Sequence, residues 1–251
     1  METQTKNVLY NVTSGSTLYG LNDENSDLDY DIVAFPTPSQ IFGVTEKAQN
    51  KFTKTVEVDT TVYMFHKFCQ MLSKGSIKAT EILFAPPELW VSCDPLFKQY
   101  FVDRKDDLIA KNVLFSLLGF AQSNFERLHQ RPEGTSKRVK LFDQFGYDTK
   151  YLAHTWRILT MGKHFIDTGE VKINWSDQKD YFFGIKYGKV SLEDALSNIE
   201  ELQAFVETGL PQGKTCYYEQ IEKLNQLSID FSVAWLDKHG HTWLQDRKRV
   251  N

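Results

Sequence analysis

The side chains best suited to chemistry lie together in the run Gly15-Ser16-Thr17-Leu18-Tyr19-Gly20-Leu21-Asn22-Asp23-Glu24-Asn25-Ser26-Asp27-Leu28-Asp29-Tyr30-Asp31-Ile32-Val33. Its first half is a small Gly-Ser turn that follows an apolar run and precedes a second glycine. Such a turn presents backbone N–H groups that can hold phosphate. Its second half gathers carboxylates ahead of a hydrophobic run, and carboxylate oxygens are ligands for divalent metal. A phosphate cradle and a metal-binding group so close in sequence point to phosphoryl-type chemistry on a nucleotide.

Several elements must position these residues. Asn7 to Thr13 alternates Val8, Tyr10 and Val12 with Leu9, Asn11 and Thr13, which predicts a strand. Gly15-Ser16 ends it and opens a short helix, whose first N–H groups form a ready anion site. Gly20 allows a second reversal, and Asn22 to Asn25 is turn chemistry. Ser26 to Phe35 predicts a second strand with Asp27, Asp29 and Asp31 on one face and Leu28, Tyr30 and Ile32 on the other. Like charges on one face repel and are costly unless a cation neutralises them. Pro36 and Pro38 close that strand, and Ser39 to Phe52 reads as a loop. Lys54 to Asp59 predicts a third strand, with Asp59 at its end on the polar side. Val62, Phe65, Cys69 and Leu72 then set a helix from about Thr61 to Lys74. A second helix spans Lys78 to Phe84 before Pro86-Pro87, Leu89 to Cys93 is a strand, and Phe97 to Asp107 is helical.

Beyond Ala110 the patterning is almost wholly helical, which predicts a catalytic core over residues 1–110 and a helical domain over 111–251. One helix covers Lys111 to Gln130, and Arg131 to Lys140 is a basic loop. A long helix covers Asp148 to Thr168, and Phe182 to Gly188 is short and irregular. Ser191, with Asp194 three residues on, caps the next helix. Tyr217 to Asp237 is the last helix, and His239-Gly240-His241 reads as a tail.

Composition narrows the function classes. A chain of 251 residues has length for one large or two modest domains, and 41% hydrophobic with 25% charged residues is ordinary for a soluble globular protein. A net charge of -4 supplies no global basic field of the kind that marks a nucleic-acid binder. Cys69, Cys93 and Cys216 stand far apart without a C-x-x-C, which argues against a disulfide framework or zinc knuckle. The polar start Met1 to Lys6 has no apolar core, and no stretch approaches membrane-spanning length. The expected location is therefore the cytoplasm.

The pattern Gly15-Ser16, Gly20, then Ser26-Asp27-x-Asp29 resembles the active-site motif of the DNA polymerase beta-like nucleotidyltransferase superfamily. The fuller form Gly-Ser-x-x-Tyr-Gly-Leu-x-x-x-x-Ser-Asp-x-Asp is similar to the group of predicted nucleotidyltransferases associated with RNA repair, which has bacterial and bacteriophage members. Further segments carry the likeness across roughly residues 7 to 200. They are Tyr63-x-x-x-Lys67-Phe68, Lys74-Gly75, Glu81-Ile82-Leu83-Phe84-Ala85-Pro86, Gly119-Phe120-Ala121, Tyr147-Asp148-x-Lys150-x-x-x-His154-x-x-Arg157 and Thr168-Gly169-Glu170.

The resemblance implies an α+β fold: a polymerase beta-like core, with a small mixed sheet and flanking helices, followed by a helical domain. It implies transfer of a nucleoside monophosphate from a nucleoside triphosphate such as ATP to an acceptor hydroxyl, an RNA end being one acceptor. A phage-encoded member would work in the host cytoplasm. Two magnesium ions, with manganese as an alternative, would be held by Asp27, Asp29 and a third carboxylate, for which Asp59 matches the position. Read alone, Asp59 is also a natural N-cap for a helix starting near Thr61, and both roles are compatible. Asp31 departs from the basic residue expected there, and Ser76-Ile77 departs from an expected Asn-Pro.

Gly15 and Ser16 would cradle the triphosphate. Lys150, His154 and Arg157, at i, i+4 and i+7, share a helix face that is either a cationic wall for phosphates and acceptor or a solvated surface. Asp148 is expected to cap that helix, with Tyr147 beside it, and Lys67 with Glu81 is either functional or a structural ion pair. The competing functions are a protein- or small-molecule-modifying adenylyltransferase and a catalytically silent nucleotide-binding protein in which Asp31 spoils the site.

Overall fold

The computed structural model describes residues 7–24, 26–44, 47–54, 58–109, 111–133, 137–211 and 215–245. In chain order they form β1 (Val8–Thr13), α1 (Gly15–Leu18), β2 (Leu28–Ala34), α2 (Pro38–Phe42), β3 (Lys51–Lys54), β4 (Val58–Met64), α3 (Phe65–Ser73), α4 (Ile77–Leu83), β5 (Trp90–Cys93), α5 (Pro95–Tyr100) and α6 (Lys105–Leu108). Then follow α7 (Val113–Arg127), α8 (Lys137–Phe145), α9 (Thr149–Thr168), α10 (Lys179–Lys186), α11 (Leu192–Thr208) and α12 (Thr215–Gln245). The architecture is α+β, a mixed five-stranded sheet with flanking helices and a helical C-terminal region.

The chain divides into two compact units. One comprises Met1–Leu18, Asn22–Ala110 and Lys214–Asn251, and the other Tyr19–Leu21 with Lys111–Gly213. The helical stretch expected over 111–251 thus divides, because α12 packs within the sheet-bearing unit.

In that unit the sheet order is β3-β4-β2-β1-β5, which makes β2 the central strand. β1 pairs antiparallel with β2 and β5, β2 pairs parallel with β4, and β3 pairs antiparallel with β4. Side chains alternate across a strand, so Ile32 and Ala34 of β2 join Val62 and Met64 of β4 in one apolar layer. Asp29 and Asp31 consequently face the other side. A second core is aromatic. Phe35 stacks on Trp235 of α12 with ring centroids 4.1 Å apart, and Phe65 of α3 meets Phe231 of α12 at 4.6 Å. Each such buried side chain contributes roughly 1.5–3 kcal/mol.

The helical unit is built on α9, whose buried Leu152, Ala153, Trp156, Ile158, Leu159 and Met161 receive α7, α10 and α11. Asp148 starts α9 by accepting the N–H groups of Lys150 and Tyr151 at 3.1 Å each, and Ser191 caps α11 by accepting from the Asp194 N–H. Among the described residues, no helix is long and apolar enough to cross a membrane.

Several boundaries differ from expectation, each for a physical reason. The strand expected over Lys54 to Asp59 lies partly outside the described residues, and β4 runs on to Met64. Thr60, Thr61, Val62 and Tyr63 are β-branched or aromatic and suit a pleated strand, so α3 begins only at Phe65. The loop expected over Ser39 to Phe52 holds α2, fixed by a Thr37–Gln40 capping box with Pro38 in the first turn, and part of the edge strand β3. The expected basic loop runs into α8 at Lys137, and the irregular Phe182 to Gly188 stretch lies largely in α10. The tail His239-Gly240-His241 is part of α12, where His239 packs on Trp235 with ring centroids 4.9 Å apart and Trp243 donates its indole N–H to the Pro36 carbonyl at 2.8 Å.

Candidate active site

The Gly-Ser turn and the carboxylate strand touch. The Ser14 N–H donates to the Asp29 carbonyl at 2.8 Å, which fastens the end of β1 to β2. Gly15 adopts φ +62°, in the left-handed region that side chains disfavour. A Cβ on Gly15 would lie 1.8 Å from Asp29 Oδ2 and 2.8 Å from its Cγ. Only glycine lets the backbone approach the carboxylate this closely. Ser16 follows, half-buried, in the single turn of α1.

The three aspartates of the β2 region sink progressively. Asp27 is exposed, Asp29 half-buried and Asp31 buried at 3% accessibility. Asp27 follows a turn in which the Ser26 N–H donates to the Asp23 carbonyl and Ser26 Oγ accepts from the Asp23 N–H. Asp29 is in parallel register with Asp59, so both side chains point to the same face of the sheet. Burial pushes the Asp29 carboxyl above the ordinary carboxylate range, with Asp59 next in effect, Lys78 opposing, and Asp27 and Asp31 adding to the rise.

Two expectations change here. Asp59 is no N-cap: it lies within β4, and α3 starts after Met64 with no side-chain cap. Asp31 is no open member of a carboxylate face either. It is buried against Lys78 of α4, with Lys78 Nζ 3.1 Å from Asp31 Oδ2. Lys78 is the residue of this site that the sequence pattern passed over. Its one signal was a cationic residue directly after Ser76-Ile77, the pair that departs from an expected Asn-Pro.

Among the described residues, no three His, Cys, Asp or Glu side chains form a group drawn close enough to hold a metal ion. The donor set nonetheless suits a hard divalent cation, since it is carboxylate oxygen throughout, and the crowding of Asp29 with Asp59 is the kind of repulsion a cation relieves.

In the helical unit, Lys150, His154 and Arg157 take different environments along α9. Lys150 is exposed, His154 half-buried against Phe182 at 5.7 Å, and Arg157 buried with its guanidinium 3.7 Å from the ring centroid of Tyr19. Burial holds the His154 imidazole well below its ordinary value, and the charges of Arg157, Lys150, Lys186 and Arg138 depress it further. Positive charge is therefore concentrated around His154. Lys186 and Arg138 belong to this concentration and lie in stretches whose helices the sequence did not reveal. The second half of the Gly-Ser motif is gripped in the same unit. The Tyr19 carbonyl accepts the Trp175 N–H at 2.8 Å, and Gly20, at φ +67°, leaves room for the Asn174 side chain.

Other candidate residues take structural places. Asp148 combines its cap with an ion pair to Arg138 at 2.6 Å, and Arg131 makes a two-pronged pair with Asp143 at 2.7 and 2.9 Å. Tyr147 is buried. Lys67 is exposed and donates to Gln70, while Glu81 is buried in α4. Cys69 and Cys93 are free thiols, and burial raises Cys69 to about 12 and Cys93 to about 11. The Cys216 side chain lies outside the described residues.

No curated protein matches the chain. Among solved structures the chain is similar to a nucleotidyltransferase-like protein from Exiguobacterium sibiricum 255-15 at 9% identity and a TM-score of 0.30. That alignment covers 93% of this chain and 75% of the other. The family model for the RNA repair pathway DNA polymerase beta family matches residues 1–181. That span takes in the whole sheet, the Gly15–Asp29 contact and the cationic helix α9, and the chain belongs to the RNA repair pathway DNA polymerase beta family.

Proposed function

We propose that this protein transfers a nucleoside monophosphate from a nucleoside triphosphate to an acceptor hydroxyl, with an RNA end as the acceptor. Family membership supports the reaction class, and its RNA repair association supports the acceptor. The observation that carries the site assignment is the parallel register of Asp29 with Asp59 beside a glycine that has no room for a side chain.

In this reading Asp27, Asp29 and Asp59 hold Mg2+, or Mn2+ in its place. When bound, the metal supplies positive charge against the phosphate chain. Gly15 and Ser16 receive the triphosphate through backbone N–H groups and the Ser16 hydroxyl. Within the helical unit, Lys150, His154 and Arg157 provide a cationic surface suited to phosphate. The acceptor hydroxyl attacks the α-phosphorus and loses its proton, and pyrophosphate leaves. Phosphoryl-type transfer needs little beyond such positioning and charge. The pairing of Asp31 with Lys78 supports an active site over a silent one, because a cation stands beside the added carboxylate.

The test is incubation with Mg2+ and each labelled triphosphate in the presence of RNA, DNA and protein acceptors. Label on RNA supports the proposal. Label on protein or on a small molecule would replace its acceptor, and triphosphate binding without any transfer would overturn it.

A further inference from the structure

We infer that Lys78 is a nucleotide-binding residue, with its ammonium held in place by the buried Asp31 carboxylate so that it takes an oxygen of the triphosphate. The inference rests on the nucleotidyltransferase reading above and adds a residue to it.

Asp31 is two positions along β2 from Asp29 and on the same side of the sheet. Its carboxylate is buried at 3%, and an ionised carboxylate at such a place needs a partner. The partner comes from the first turn of α4, with Lys78 Nζ 3.1 Å from Asp31 Oδ2. The two ends of the pair have unlike surroundings: the Asp31 side chain is 4% accessible and that of Lys78 is 37% accessible. A pair serving only the core would bury both ends. Here the carboxylate is the fixed floor and the Lys78 side chain is the accessible end of the pair.

Its direction matters as well. The Lys78 charge acts on Asp29, where it opposes the rise caused by burial and Asp59. Its pairing with Asp31, two positions from Asp29 on the same face of β2, places Lys78 beside the carboxylates within the sheet-bearing unit rather than on a remote surface. A triphosphate approaching Asp27, Asp29 and Asp59 meets like charge, and a cationic side chain at that place offsets the repulsion. An ammonium is a compact point charge with three N–H donors, well suited to a phosphate oxygen. Asp31 sets where that charge stands and is a positioning residue, with no contact of its own to the ligand.

The experiment is direct titration of the full chain with a non-hydrolysable triphosphate analogue in Mg2+. Lys78→Gln alone leaves Asp31 buried without its cation and is prone to unfold, so the main variant is Asp31→Asn with Lys78→Gln. That variant neutralises both ends and keeps their sizes. Binding should weaken about ten- to a hundred-fold, the worth of one charge-assisted contact, while the melting temperature stays within a few degrees. Lys78→Arg, which keeps Asp31 paired, should recover most of the affinity. Unchanged affinity in the folded double variant overturns the inference and leaves the transferase reading intact. A wild-type chain that binds no triphosphate, with Mg2+ present, overturns both.

Discussion

The carboxylate of Asp29 occupies the space in which a side chain on residue 15 would begin, since a Cβ on Gly15 would stand 1.8 Å from Asp29 Oδ2. Gly15→Ala therefore carries two costs. The φ of +62° strains any L-residue by about 1–2 kcal/mol, and the added methyl displaces Asp29. Transfer activity should fall by more than the stability loss explains. In an Asp29→Gly background the same change should show only the backbone cost, and denaturant unfolding of the four chains measures the difference. Equal costs in both backgrounds would contradict the contact.

Asp29→Asn should abolish transfer and raise the melting temperature. The folded chain disfavours the ionised carboxylate through burial and the neighbouring Asp59, so an amide removes a repulsion. This is the stability–activity trade-off expected of a functional cluster. Asp27→Ala, at an exposed position, should abolish transfer with little change in melting temperature. Normal turnover in either variant rejects the site.

His154 should make the protein acid-sensitive. Its imidazole is held well below the ordinary value of about 6.5 by burial and by Arg157, Lys150, Lys186 and Arg138. Between the folded and unfolded values the unfolded chain binds the extra proton, so stability is full above about pH 6.5 and declines as pH falls towards the folded value. Melting temperatures from pH 8 down to pH 5 should show this decline in the wild type and a flatter course in His154→Gln. Identical courses would place His154 in an ordinary solvated setting.

Trp243→Ala should destabilise the sheet-bearing unit by about 3–5 kcal/mol. The side chain is buried, donates to the Pro36 carbonyl at 2.8 Å and meets the Phe35 ring edge-on at 6.2 Å. Removal of everything after Lys238 should cost at least as much. A change of under about 0.5 kcal/mol, typical of an exposed site, would show that the end of α12 is dispensable.

The sequence made the strands β1 and β2, the Gly-Ser turn and the caps Asp148 and Ser191 legible because each rests on local chemistry: alternation, a glycine, or an oxygen placed before a helix. The end of β4 was not legible. Val62, Phe65, Cys69 and Leu72 keep helical spacing across the junction, and only pairing with β2 draws Thr60 to Tyr63 into the sheet. The same lack of long-range information hid β3, which needs β4 as its partner. In the site, the motif marked Asp27 and Asp29, but periodicity placed Asp31 with them. Its burial depends on α4, which lies 47 residues away at Lys78. α12 outran its expected end because Trp243 finds its partner at Pro36, 207 residues earlier.

The main segment of the helical unit, Lys111–Gly213, is a nested insertion in the chain of the sheet-bearing unit, whose last helix is α12. The order of synthesis follows from this. The strands carrying Asp29 and Asp59 emerge first, yet Phe35 and Phe65 stay uncovered until Phe231 and Trp235 arrive at the far end of the chain. The sheet-bearing unit is begun first and finished last, so a chain stopped anywhere before α12 leaves Phe35 and Phe65 without their cover as well as losing its tail.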